Sequence, residues 1–204
     1  MGTTPITGAA VPTLQPLSSL GKLKPAPAPG PVSYEGVPVP SAPALAGTSK
    51  KTTGQTIDGI ECQASEQVVY HVHAHLTIFV KGKARQIPMA IGIPGAQQMW
   101  SPEGNFIDAG TCFYWLHTHA PDGIIHIESP TERTYTLGQF FAEWGQPLST
   151  SQVGPAKGHV TALFNGKVYV GNPRNIPLDA HAQIQLEVGT PLIAPVKITF
   201  PDGL

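Results

Sequence analysis

Histidine occupies every second position in Tyr70-His71-Val72-His73-Ala74-His75-Leu76, and the chain continues through Ile78 and Val80. A period of two belongs to a β-strand, where successive side chains point to opposite faces. His71, His73 and His75 share one face. Val72, Ala74, Leu76, Ile78 and Val80 share the other, which reads as a core face. The pattern returns at Leu116-His117-Thr118-His119 and at Ile125-His126-Ile127-Glu128. Six of the eight histidines fall in these three segments. A lone histidine reads as a polar residue on a wetted sheet face. This density reads as a metal site, since imidazole is the commonest protein ligand for transition metals.

The candidate ligand set is His71, His73, His75, His117, His119, His126 and Glu128. Two histidines at i and i+2 on a strand lie about 7 Å apart at the backbone and converge through their rings. A third from a neighbouring strand completes a site that leaves room for water. Imidazole ligation suits a Cu or Zn ion. Glu128, Asp108 or Asp122 can orient a ligand imidazole through its far nitrogen. Glu128 can alternatively serve as a base towards metal-bound water. His159 and His181 stand apart and read as structural. Trp100, Tyr114 and Trp115 flank the insertion and read as packing residues, with the lining of a pocket as the alternative.

Only 12% of residues are charged and the formal net charge is -1. This balance argues against a nucleic-acid partner and against attraction to an anionic membrane surface. There is no apolar run of transmembrane length. Residues Met1–Pro5 show no signal-peptide pattern, and Ile6 breaks the myristoylation pattern. Low charge, many prolines and a histidine cluster suit a periplasmic or extracellular protein, possibly surface-tethered, whose leader has been removed. Cys62 and Cys112 each precede a histidine-rich strand. A disulfide between them suits that compartment. Two buried thiols, or one thiolate ligating a metal, are the other readings.

Residues 1–57 hold ten of the 22 prolines and show no helical or strand period. Such a segment is an extended Pro-rich arm or tether. As an arm it offers Leu14, Leu17, Leu20, Leu23 and Tyr34 to a protein partner. Residues 58–204 read as one domain. His75–Lys83 and His159–Lys167 match weakly as two strand-turn-strand units. Thr136-Leu137-Gly138-Gln139 is a capping box, followed by Phe140, Phe141 and Trp144 on one helical stripe and by Gly145 as the stop. Further strands are expected at Arg85–Ala90, Thr111–His117, Gly123–Glu128, Glu132–Tyr135, His159–Phe164, Lys167–Val170, Ala182–Val188 and Val196–Phe200.

The order of hairpin, helix opening at Thr136-Leu137, Phe164-Asn165-Gly166-Lys167 turn and closing Leu178…Ile184-Gln185-Leu186 resembles the β-grasp sulfur-carrier proteins of thiamine and molybdopterin synthesis. The resemblance covers about half the chain. It implies an α+β, mainly β fold: a β-grasp-like sheet with one packed helix and an inserted β-hairpin, preceded by the Pro-rich arm. The helix would cover the Val72–Val80 face, leaving the histidines opposite. The carriers end in Gly-Gly, whereas this chain ends Phe200-Pro-Asp-Gly-Leu204, so sulfur carriage is not implied. Residues about 91–130, where the carriers have almost nothing, form an insertion that holds Cys112, His117, His119, His126 and Glu128. The run from Leu116 to Pro130, with Tyr135–Phe141 and Trp144-Gly145, also resembles an uncharacterised group of secreted or membrane-anchored prokaryotic proteins.

The leading expectation is an extracytoplasmic metal-binding domain. A metal-dependent hydrolase or oxidase using the same residues, and a noncatalytic accessory subunit held by its N-terminal arm, are the alternatives. Residue types alone do not decide whether the chain is an enzyme.

Overall fold

A computed structural model describes residues 11–204. The residues that carry the leader and acylation readings, 1–10, lie outside the described part. Among the described residues the fold is mainly β with a single α-helix and several sheets. The principal sheet has eight strands. Their order is Thr13–Gln15, Lys167–Val170, Val160–Phe164, Gln183–Val188, Tyr70–Val80, Ile124–Ser129 and Leu116–His117, with Lys83–Arg85 pairing the far half of Tyr70–Val80. Tyr70–Val80 and Gln183–Val188 run parallel, Leu76 opposite Ile184. The other pairings in this sheet are antiparallel.

Both units of the weak sequence match are hairpins whose turns need left-handed backbone. Lys81 and Gly82 have φ of 51° and 70°, and Asn165 and Gly166 have 49° and 75°. These tight turns suit the right-handed twist of their strands. The helix Leu137–Trp144 begins as its residues dictate. Thr136 Oγ1 accepts from Gln139 N at 3.4 Å, and Gln139 Oε1 accepts from Thr136 N at 3.0 Å. Gly145 ends it at φ 68°. Phe140, Phe141 and Trp144 share one buried core with Ala74, Leu76 and Ile78, while Val72 and Val80 pack against it. The histidine face is the opposite one.

Glu143 breaks the apolar pattern of that helix. It is buried, and neither carboxylate oxygen has a hydrogen-bond partner among the described residues. Burial first, then the Asp58 carboxylate, pushes its carboxyl well above the usual range. The folded chain thus holds this proton more tightly than the unfolded chain. The cost of the group is small in acid and grows as pH rises past the ordinary value of 4.5. Glu143→Met should therefore raise stability near pH 8 by roughly 1–3 kcal/mol and change little near pH 4. A stability loss at pH 8, measured by urea unfolding, would contradict this.

Several expected strands differ. The return strand is Lys83–Arg85 and shares only Arg85 with the expected Arg85–Ala90, because Pro88 has no N–H to give a ladder and Ala90 turns the chain at φ 67°. Thr111–His117 splits at Trp115. Phe113–Tyr114 pairs with Cys62–Gln63 in a separate two-stranded sheet, and Leu116–His117 joins the main sheet. Glu132–Tyr135 is not a strand; it leads from Pro130 into the helix cap. Val196–Phe200 is extended but unladdered, since Val196 N and Ile198 N donate to the side chains of Gln185 and Gln183. A hairpin of Gln97–Ser101 and Gly104–Ala109 has no counterpart in the expected strands. Its polar residues on both faces hide the period of two.

Cys62 and Cys112 are bonded to each other, 50 residues apart. Both thiol alternatives are thereby set aside. Closing a loop of that length stabilises by about 4 kcal/mol in the chain-entropy account. Alkylation of unreduced native protein should leave both sulfurs unlabelled in mass spectrometry. A labelled Cys62 or Cys112 would contradict the bond.

The Pro-rich segment lies along the chain's own sheet. Thr13–Gln15 extends the sheet edge beside Lys167–Val170. Lys24 N donates to Leu192 O and its carbonyl accepts from Ala194 N. Leu45 N donates to Gln86 O, and Trp144 Nε1 donates to Gly47 O. Val37 is wholly buried. Residues Ala26–Gly30, Pro38 and Pro40 face His75, Thr77 and Phe79 across a cavity, so the segment covers part of the histidine face.

Candidate metal centre

Strand register assembles the first part of the site. His73 stands directly opposite His126, and His71 opposite Glu128. His117, on the next strand, is opposite His126. Because directly opposed side chains share a face, three strands deliver their polar residues to one place. His73 Nε2 lies 3.1 Å from His71 Nε2 and 3.1 Å from His126 Nδ1. Glu128 Oε1 lies 3.1 Å from His71 Nε2 and 3.3 Å from His126 Nδ1. These four atoms are all within 4.8 Å of one another. Four donors around a tetrahedral ion with bonds of 2.0–2.1 Å would be spaced about 3.3 Å apart.

A turn in the Pro-rich segment supplies the partner of His126. Gly36 N donates to Ser33 O at 3.0 Å, with Gly36 at φ 80°. Ser33 Oγ accepts from Glu35 N and donates to Asp122 Oδ2 at 2.6 Å. Tyr34 stacks on Phe106 at 3.9 Å. The turn is thereby pinned on both sides, and Glu35 Oε1 accepts from His126 Nε2 at 2.5 Å. With Nε2 carrying the hydrogen, Nδ1 is the nitrogen left to bind an ion.

The other two histidines are oriented by main-chain carbonyls. His117 Nδ1 donates to Tyr114 O at 2.8 Å, and His119 Nδ1 donates to Ile107 O at 2.6 Å. A carbonyl only accepts, so both Nδ1 atoms carry hydrogen and both Nε2 atoms present lone pairs in the neutral rings. Those two Nε2 atoms face each other at 3.1 Å. Glu66 approaches from the loop before the histidine-rich strand. Its Oε1 lies 3.4 Å from His119 Nε2 and 4.0 Å from His117 Nε2. The cluster is buried except at His71, Glu66 and His119, whose side chains are 39%, 36% and 15% exposed.

Burial, then the nearby His126 and His71, pushes His73 down to about 3. Burial and the His119 and His126 rings hold His117 well below its ordinary value. His126 goes the other way. Burial opposes its charge, but hydrogen bonds to Glu128 and Glu35 outweigh that and raise it to about 9. The two glutamates thus favour a proton on His126, while burial disfavours one on His73, His117 and His119.

Of the seven candidate ligands, six converge: His71, His73, His117, His119, His126 and Glu128. His75 does not. It shares the histidine face, but its Nε2 donates to Asp122 O at 3.0 Å. Gly123 permits this approach, because a Cβ there would lie 3.1 Å from His75 Nε2 and 2.4 Å from Leu76 O. Burial lowers His75 to about 4, so it stays a neutral donor. Asp122 does not touch a candidate ligand of the cluster; it braces the Ser33 turn. No sequence pattern marks Glu35 or Glu66. Neither sits in an alternating segment, and Glu35 lies in the segment read as a tether or partner-binding arm. Compared with family models, curated proteins and solved structures, the chain matches none.

Proposed function

We propose that this protein is an extracytoplasmic metal-binding domain that holds Zn(II) or Cu(II) through His71, His73, His126 and Glu128. The observation that carries the reading is the spacing of four donor atoms at 3.1–3.3 Å along His71, His73, His126 and Glu128. Imidazole nitrogen with one carboxylate oxygen is a donor set that both ions accept. The disulfide supports an oxidising compartment. No helix among the described residues is long and apolar enough to cross a membrane.

The sheet supports a β-grasp-like frame as part of the same proposal. A first hairpin is followed by the helix and a second hairpin, and the last strand returns parallel to the first. In that frame the histidine-bearing strand is central, flanked on one side by the insertion that carries His126 and Glu128. The Pro-rich segment then acts in cis, closing the site with Glu35.

Titration of the chelator-stripped protein with Zn(II) and with Cu(II), beside elemental analysis of protein purified without chelator, tests the reading. Tight binding is expected. Glu35→Ala should weaken it roughly 10–100-fold, because no side chain at this position then accepts the hydrogen of His126 Nε2. Circular dichroism should show the variant folded. Wild-type affinity no better than that of a variant lacking all six cluster ligands would overturn the proposal.

A further inference from the structure

We propose that the site is dinuclear, with a second divalent ion held by His117, His119 and Glu66 and joined to the first by the Glu128 carboxylate. This rests on the metal-binding reading above and extends it.

The first observation is the His117–His119 pair. Both Nδ1 atoms are committed to carbonyls, so neither Nε2 can donate to the other. Two lone pairs are nonetheless aimed at each other across 3.1 Å inside the protein. A cation between them turns that repulsion into two bonds. The Nε2 separation is close to the spacing of two ligands on one tetrahedral ion.

The second observation is Glu128 itself. Its Oε1 faces His71 and His126, while its Oε2 is buried and has no hydrogen-bond partner among the described residues. That orphaned oxygen lies 3.8 Å from His117 Nε2, on the side of the second group. Leaving a carboxylate oxygen dry and unpaired is costly, and a metal bond removes the cost. Glu66, His117 and Glu128 offer atoms within 4.8 Å of one another. The two oxygens of one carboxylate thus point at two donor groups, the arrangement of a bridging ligand. Paired ions in such sites stand about 3.5–4 Å apart.

The two groups are separable by mutation. Glu66 serves only the second and His71 only the first, while His119 is assigned to the second and also neighbours His126. The full chain, stripped with chelator and dialysed against Zn(II), should bind two ions. His119→Ala and Glu66→Ala should each weaken the second equivalent at least about tenfold and leave the first intact. Glu66 lies in a half-exposed loop, so its variant stays informative if His119→Ala does not fold. With Cu(II), one equivalent should give an isolated mononuclear EPR spectrum. A second should broaden it and add a half-field transition from the coupled pair. One Zn(II) per wild-type chain would overturn the second site while leaving the first. Two Cu(II) ions without spin coupling would overturn the Glu128 bridge. No binding at all would overturn the underlying reading as well.

Discussion

The double variant His73→Ala/His117→Ala should lose tight Zn(II) and Cu(II) binding while the domain stays folded. His73 contributes to the shortest contacts of the first group, and His117 links the second group to Glu128. Neither ring belongs to the apolar core. Removing both takes a nitrogen ligand from each group, so the loss should reach about a thousandfold or more, larger than the effect of a hydrogen-bonding partner such as Glu35. Calorimetric titration measures it, with circular dichroism to check folding. Wild-type affinity in the double variant would sink the assignment of these ligands. Acid should weaken binding in wild type, because a protonated imidazole has no lone pair to give. His126, raised to about 9 by Glu128 and Glu35 against the effect of burial, brings that competition into the neutral range.

Phe141→Ala should cost roughly 3–5 kcal/mol, from lost burial and the cavity left behind. The ring is wholly buried, 5.3 Å from Trp144 and 6.2 Å from Phe140 between ring centroids. It belongs to the core that includes Ala74, Leu76 and Ile78 of the histidine-bearing strand. Urea unfolding in chelator should show a lower midpoint with a similar slope. Chelator matters, because a bound ion stabilises the native state by mass action and would mask part of the loss. A change below about 1 kcal/mol would mean that the helix is not the lid of this core.

Local chemistry was readable from the residues alone. The period of two along Tyr70–Val80 separates a histidine face from an apolar face, and the structure keeps that separation because a pleated strand has no other way to place its side chains. The Thr136/Gln139 box and Gly145 bound the helix, since both devices satisfy backbone groups within a few residues. His71, His73, His117, His119, His126 and Glu128 were identifiable by alternation, and their side chains do meet in one cluster.

Tertiary structure decided the rest. His75 obeys the same alternation as His71 and His73, yet register sets it opposite Ile124, where Gly123 lets a carbonyl reach its ring. Val196–Phe200 looks like a strand, but two glutamine side chains take its donors before any backbone can. Glu35 carries no periodic signal at all. It reaches His126, 91 residues away, because a Ser33–Gly36 turn is braced on Asp122 and Tyr34 stacks on Phe106. Periodicity tells which way a side chain points relative to its own strand. It holds no information on which distant loop arrives opposite, and long-range pairing of strands and turns settles that.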